Sequence, residues 1–140
     1  MPVIRLFFLM LLSVPLLSHG QYIKEWTLYI HDKKIISAKG DSVRTVKVHR
    51  KDNTTLRFAF ARGDTAFKRR LIVMDGGRVG IDDRAITVKE CGASFNTQEL
   101  YRRSKGKDIT FYMVTIPADP AKAALVRVAP RPFCNLQWIE

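Results

Sequence analysis

Apolar and polar residues alternate along most of the chain after residue 20, and this pattern predicts short β-strands with one solvent-facing side. In VRTVKVHR the apolar positions Val46 and Val48 share one face, while in TLRFAFAR the residues Leu56, Phe58 and Phe60 do so. The polar tetrapeptide KDNT between the two segments has the composition of a turn. We therefore predict that these two segments pair as a hairpin.

Further short apolar runs, bounded by turn sequences, extend this pattern to both ends of the chain. Glycine-rich DGG, beginning at Asp75, is typical of a turn that joins hairpin strands. The count of eight to ten short strands predicts a mainly β fold, an antiparallel β-sandwich or barrel. The other runs assigned to strands are YIKEWTLYI, IISA, RLIVMD, RVGI, AITVKE (after a DDR turn), DITFYMVTIP, KAALVRVAP and FCNLQWIE.

One short α-helix, about 97–105, is predicted by its end signals. Asn96 suits the N-cap, and Glu99 follows three residues later, as in a capping box. Phe95 and Leu100 have the spacing of a hydrophobic staple. Basic residues fill the last turn and Gly106 supplies a stop, so the two helix ends are indicated independently.

Residues 1–20 have the sequence of a cleaved signal peptide. Arg5 precedes the apolar run LFFLMLLSVPLLS, which is too short to span a bilayer comfortably, and small residues Ser18 and Gly20 mark a cleavage site. Residues 21–140 are expected to form a single exported β-domain, periplasmic or extracellular, without a transmembrane segment. An uncleaved membrane anchor is the alternative.

The exported part is strongly basic, and its charge bears on the partner. Arg5 is the only basic residue within 1–20, so 23 of the 24 Lys and Arg face 13 acidic residues, a net charge of +10. Such an excess favours an acidic protein or an anionic envelope polymer, with nucleic acid as a less favoured alternative. The other interpretation is that these side chains simply solvate exposed strand faces.

Cys91 and Cys134 are the only two cysteines of the chain, and we predict that they form a disulfide. An even cysteine count in an exported chain favours this pairing. The bond would close a loop of about 44 residues and contribute roughly 4 kcal/mol. A zinc site or a cysteine nucleophile is less well supported, because no Cys-x₂-Cys or His-x₃-His spacing occurs and no histidine motif accompanies Cys91.

Three basic clusters are the candidate binding residues. The first surrounds the predicted helix, the second begins a predicted strand, and the third ends the first strand of the predicted hairpin. A solvated surface is the alternative reading for each cluster. In order, the clusters are Tyr101, Arg102, Arg103, Lys105 and Lys107; Lys68, Arg69 and Arg70; and Lys47, His49, Arg50 and Lys51.

No catalytic, metal or cofactor motif is found, and the sequence therefore predicts a non-enzymatic binding domain. Asp82 and Asp83 are adjacent, so on a strand they would point to opposite faces and not converge. The alternatives are a small exported hydrolase with His49 or His31 as base, and a structural subunit of an envelope assembly. The sequon at Asn53 would matter only in a glycosylating pathway.

The segment from Arg70 to Met113 also shows a familiar order of elements. A β-hairpin leads to GIDDRAITVKEC, then to a capped short helix, and then to GKDITFYM. This order resembles the C-terminal half of the invasion-associated locus B family of exported bacterial proteins. The family's usual second cysteine is missing from CGASF. The resemblance implies a periplasmic β-domain without known catalytic residues, and it transfers no site residues.

Overall fold

The computed structural model describes residues 25–39 and 42–140, and these residues form two packed sheets with two helices. The mainly β sandwich predicted from the sequence is confirmed. The strands are β1 (Glu25–Ile30), β2 (Lys33–Lys39), β3 (Arg44–His49), β4 (Thr55–Phe60), β5 (Phe67–Asp75), β6 (Gly80–Ile86), β7 (Gly92–Asn96), β8 (Ile109–Pro117) and β9 (Arg131–Ile139). The helices are α1 (Thr97–Ser104) and α2 (Pro120–Ala123).

The two sheets have the strand orders β2-β1-β4-β7 and β3-β9-β8-β5-β6. The described strands pair antiparallel, except that β3 runs parallel to β9. Residues 1–24, which include the predicted signal peptide, lie outside the described part of the chain. Within residues 25–39 and 42–140, no helix is long and apolar enough to cross a membrane.

An aromatic cluster fills the space between the sheets. Trp26 and Phe58 from the four-stranded sheet meet Phe111 and Phe133 from the five-stranded sheet, and all four are buried. The ring centroids of Phe58 and Phe111 lie 4.7 Å apart, and those of Trp26 and Phe133 lie 5.2 Å apart with their planes at 70°. Tilted and edge-on contacts of this kind stabilise a core beyond the area they bury.

Strands β3 and β4 do not form the predicted hairpin, which is therefore wrong. Strand β3 pairs with β9, whereas β4 pairs with β1 and β7 in the other sheet. Val46 and Val48 of β3 still point into the core, as do Leu56 and Phe58 of β4. The alternation thus identified the buried face of each strand, but residues 50–54 cross between the sheets instead of turning back within one.

Buried hydrogen bonds fix this crossing to the N-terminus of α1. The Thr97 hydroxyl is fully buried, donates to the Asp52 carbonyl at 2.7 Å and accepts from the Thr54 amide at 3.0 Å. The Thr97 amide also donates to the Thr54 carbonyl at 2.9 Å. Next to it, the Asn96 side-chain amide donates to the Asn53 side-chain oxygen at 2.8 Å. The exposed Asn53 of the sequon is therefore part of this junction.

Helix α1 confirms the predicted helix and ends one residue earlier than expected. The Asn96 side chain accepts from the Glu99 amide at 3.0 Å, as predicted for an N-cap. The Glu99 carboxylate pairs with Arg102 instead of completing the capping box. Lys105 adopts the left-handed conformation, and Gly106 follows with φ 76° and donates to the Tyr101 carbonyl. Two left-handed residues therefore terminate the helix.

Three segments differ from the sequence-based assignment. Strand β6 runs unbroken through the predicted DDR turn and stops at Ile86, and β7 forms where no strand was predicted. KAALVRVAP is not a strand but the last part of α2 followed by irregular chain. Asp119 caps α2 by accepting from the Ala121 amide, and Pro120 is its first residue, so local capping decides this element.

Candidate functional site

The topology brings two of the three predicted basic clusters to one end of the sandwich. The Trp138 indole donates to the Lys107 carbonyl at 2.9 Å, and the Arg50 amide donates to the Ile139 carbonyl at 2.9 Å. The last residues of β9 therefore lie between α1's C-terminus and the β3–β4 crossing. We call this the helix end; it carries α1, residues 50–54, the β1–β2 turn, the β5–β6 turn and the end of β9.

Tyr101 anchors this end and is not a free binding aromatic. Its ring meets Trp138 edge-on, with the ring centroids 5.1 Å apart. The Tyr101 hydroxyl also lies over Gly106, 3.2 Å from where a Cβ atom would sit. The helix is thereby packed against the end of β9, and Tyr101 contributes positioning more than contact surface.

Both arginines of the first cluster form ion pairs within the chain. Arg102 pairs with Glu99 one turn earlier on α1. Arg103 Nη1 lies 3.7 Å from an Asp82 carboxylate oxygen, which also accepts from Arg84 Nε at 3.2 Å. These contacts join α1 to β6 across the edge of the sandwich, so much of the arginine charge is compensated locally.

The lysines of the helix end are exposed, and in the described structure none of their ammonium groups forms an ion pair or hydrogen bond. Of the nearby acidic groups, Glu140 pairs with Arg50 and Asp75 accepts from the amides of its own turn. Asp32 and Asp52 are exposed, and their carboxylates have no partner in the described structure. Strand β2 begins with two further lysines, which none of the predicted basic clusters included. The helix-end lysines are Lys33, Lys34, Lys47, Lys51, Lys105 and Lys107.

The second predicted cluster lies at the opposite end of the sandwich. Lys68 pairs in register with Ile116, seven residues along β8 from Ile109 and about 23 Å away. We call this the loop end; it carries residues 61–66, 87–91 and 118–130. The structure therefore does not unite Lys68 and its neighbours with the helix-end lysines.

The three residues of this second cluster also differ from one another. Arg70 forms two hydrogen bonds of 2.9 Å with the Asp83 carboxylate on the outer face of the sheet. Arg69 instead donates to the Ala61 carbonyl at 2.9 Å, reaching from one sheet to the other. Lys68 is exposed and forms no such bond in the described structure. Strand alternation turns Arg69 away from the outer face that Lys68 and Arg70 share, so the three cations do not form one surface.

Neither histidine of the described residues contacts a carboxylate or a hydroxyl. His49 Nδ1 lies 3.2 Å from the backbone carbonyl oxygen of Glu140, and His31 sits exposed in the β1–β2 turn with φ 51°. Asp82 and Asp83 point to different arginines, as expected for neighbours on a strand. No contact observed here favours a hydrolytic constellation.

The predicted disulfide is wrong in this structure, because both cysteines are free. Cys134 is fully buried in β9 of the five-stranded sheet, opposite Phe111, and burial raises the pKa of its thiol to about 12. Cys91 lies before β7 of the other sheet, half-buried, with its Sγ donating to the Val88 carbonyl at 3.2 Å. The two thiols belong to different layers, which strand alternation alone did not distinguish.

An open pocket of about 570 Å³ lies beside Cys91, where β4 and β7 face β6. Its polar lining includes Arg57, Arg84 and Glu90. Arg84 donates to the Ser94 carbonyl, and its guanidinium lies 4.1 Å from the Phe95 ring centroid. The Arg57 guanidinium lies 4.2 Å from the centre of the Tyr29 ring. Arg84 therefore joins β6 of one sheet to β7 of the other, whereas Arg57 contacts the neighbouring strand of its own sheet. No group of three potential metal ligands occurs in the described residues.

Comparison with known proteins adds no relative. No protein-family model, no curated protein and no solved structure matches this chain.

Proposed function

We propose that this chain is a non-enzymatic, exported binding domain that contacts an acidic macromolecule through its helix end. The observation that carries the proposal is the convergence of six unpaired, exposed lysines on one end of the sandwich. Lysines 47 and 51 come from one predicted cluster and lysines 105 and 107 from another, and the fold joins them. Lysines 33 and 34 extend the same end.

The chemistry of these groups suits recognition of charge density. An exposed ammonium is a compact point charge with three rotatable hydrogen-bond donors, so it can bind carboxylate, sulfate or phosphate groups in several orientations. Such charges steer a partner toward the surface, and their effect falls as salt shortens the Debye length, about 8 Å at physiological ionic strength. Binding through this end should therefore weaken steeply with salt.

The platform beneath the lysines is ordered before a partner arrives. Thr97 ties α1 to the β3–β4 crossing, and the Tyr101–Trp138 contact ties its other end to β9. Backbone that is already fixed loses less conformational freedom on binding. The same aromatic pairing argues against a nucleic-acid platform, because these two rings pack edge-on against each other instead of forming a surface on which bases could stack.

The partner class that fits best is an acidic protein surface, with an anionic envelope polymer as the other member of the same charge class. Polyglutamate and heparin are suitable probes for the two. We expect both probes to bind at low salt. The probe that binds more tightly should indicate whether the partner is an acidic protein or an anionic polymer. Affinity that does not change across a salt series would contradict the electrostatic basis of the proposal.

A pair of charge-matched variants locates the surface. The double variant Lys105→Glu with Lys107→Glu should weaken probe binding about tenfold or more, since two attractive charges become repulsive. The double variant Lys68→Glu with Lys89→Glu changes net charge equally at the loop end and should weaken binding far less. Equal weakening by both variants would show that net charge alone binds the probe, and the helix end would then have no special role.

A further inference from the structure

The loop end carries an apolar side chain in an unusual position. Leu125 follows α2 and is 87% exposed, the most exposed large hydrophobic residue of the described chain. The next most exposed is Val79, at 57%, in the β5–β6 turn of the helix end. Single exposed aliphatics are common, so the surroundings of Leu125 must decide whether its exposure has a use.

Hydrogen bonds hold Leu125 in place. The Leu125 amide donates to the Lys122 carbonyl at 3.1 Å, and the Val126 amide donates to the Ala123 carbonyl at 3.4 Å. Asp119 caps the start of α2, and the Ala118 amide donates to the Ala66 carbonyl at 2.8 Å. The turn that presents Leu125 is thus attached to the β4–β5 connection beside Lys68.

Two exposed lysines lie close to this turn along the chain. Lys122 precedes Leu125 by three residues, and Lys68 follows the attached β4–β5 connection; neither ammonium group forms an ion pair or hydrogen bond in the described structure. Nearby Asp119 and Asp64 accept backbone amides, from Ala121 and Ala66 respectively. The exposed leucine therefore lies near two lysines whose charge is not compensated by an ion pair in the described structure.

Val79 provides the contrast. Its amide donates at 3.1 Å to the Asp75 carboxylate, which also accepts from the Gly77 amide. An acidic group directly beside an exposed aliphatic residue would be repelled by an anionic surface. No carboxylate contacts the Leu125 amide, which donates to a backbone carbonyl, and Leu125 is the more exposed of the two side chains.

We propose that residues 118–131 form a contact for an anionic lipid surface, in which Leu125 enters the boundary between headgroups and acyl chains. Burial of one leucine contributes hydrophobic free energy, and each basic residue near the surface adds attraction to anionic lipid. Neither alone anchors a protein, so the contact is weak and reversible. This surface lies opposite the helix end and does not depend on the function proposed for it.

A local fluorescence reporter tests the contact in the full chain. In Leu125→Trp the new indole should shift to shorter wavelength on mixed phosphatidylcholine–phosphatidylglycerol vesicles, and brominated lipid should quench it. Pure phosphatidylcholine vesicles should produce neither effect. The comparison reporter Val79→Trp, on an exposed turn at the other end, should stay unchanged with both vesicles.

Charge variants made in the Leu125→Trp protein show which lysines attract the anionic vesicles. Lys68→Glu with Lys122→Glu should abolish the shift, whereas Lys105→Glu with Lys107→Glu should leave it. The proposal is overturned if Leu125→Trp does not shift on anionic vesicles, or if Val79→Trp shifts equally. It is also overturned if inorganic phosphate reproduces the shift without lipid, or if only an acidic polypeptide does so, since the leucine would then serve another ligand.

The helix-end variants also separate this inference from the proposed function. Loss of polyglutamate and heparin binding with an intact vesicle response would refute the helix-end proposal and leave the lipid contact standing. The reverse outcome would remove the lipid contact alone.

Discussion

The helix end and the loop end both carry many basic residues, but their surroundings give them different chemistry. At the helix end, Arg50, Arg102 and Arg103 are paired with carboxylates while the lysines form no ion pair, and the buried Thr97 hydroxyl ties the helix to the β3–β4 crossing. At the loop end, Arg70 is paired, Arg69 bonds to a carbonyl, and an exposed leucine projects from a turn. Charge counted along a sequence therefore overstates how much charge a fold leaves available.

The largest effect on stability is expected at Thr97, whose hydroxyl joins α1 to the β3–β4 crossing. Thr97→Val should lower the free energy of unfolding by about 2 kcal/mol, because it removes both hydrogen bonds of a fully buried hydroxyl, to the Asp52 carbonyl and from the Thr54 amide. At the loop end, Asp119→Ala removes only an exposed helix cap and should cost about 1 kcal/mol or less. Urea denaturation of both variants measures the difference. A loss for Asp119→Ala equal to that for Thr97→Val would contradict the distinction between the ends.

A smaller effect is expected at the end of α1. Gly106→Ala should destabilise the protein by about 1 kcal/mol, because φ is 76° and the added methyl would approach the Tyr101 hydroxyl. Gly80→Ala is the control, since no atom lies within 4 Å of its added methyl. Thermal unfolding should separate the two variants. If Gly106→Ala left the melting temperature unchanged, the packing of Tyr101 over this turn would not matter for stability.

The thiols of Cys91 and Cys134 are expected to differ in their reactivity toward labelling reagents. Protein purified without reductant should contain two thiols when unfolded, and Ellman's reagent should label Cys91 first in the folded protein. Cys134 should react only on unfolding, because it is buried and its pKa is raised to about 12, so little thiolate forms at neutral pH. Alkylation followed by peptide mass analysis identifies the labelled residue. Absence of free thiols in the unfolded protein would restore the disulfide that the structure contradicts.

Local sequence patterns predicted the strands and the helix better than they predicted which strands pair with each other. The alternation in β3 and β4 correctly placed Val46 and Phe58 inward, because burial follows a period of two along any strand. It could not show that the two strands belong to different sheets, because both choices bury the same faces. The end signals of α1 were local and sufficient, whereas the alanines after Pro120 fitted either a strand or a helix.

The candidate site also divides into features that the sequence predicts locally and features that only the fold determines. The sequence identified the basic clusters, and the fold decided that residues 47–51 and 101–107 share an end while Lys68 does not. Which cations are free depends on carboxylates distant in sequence: Asp82 holds Arg103, and Asp83 holds Arg70. No spacing in one sequence encodes such pairs, and the same limit applies to Cys91 and Cys134.

The central claim is that the helix end is the surface that binds an acidic partner, and amide chemical shifts report on it directly. In a titration of ¹⁵N-labelled protein with polyglutamate at low salt, we predict the largest shifts at residues 47–54 and 97–108, with reversal as salt is added. Residues 61–70 and 87–91 should change little. Shifts concentrated at the loop end, or spread evenly over the protein, would contradict the account.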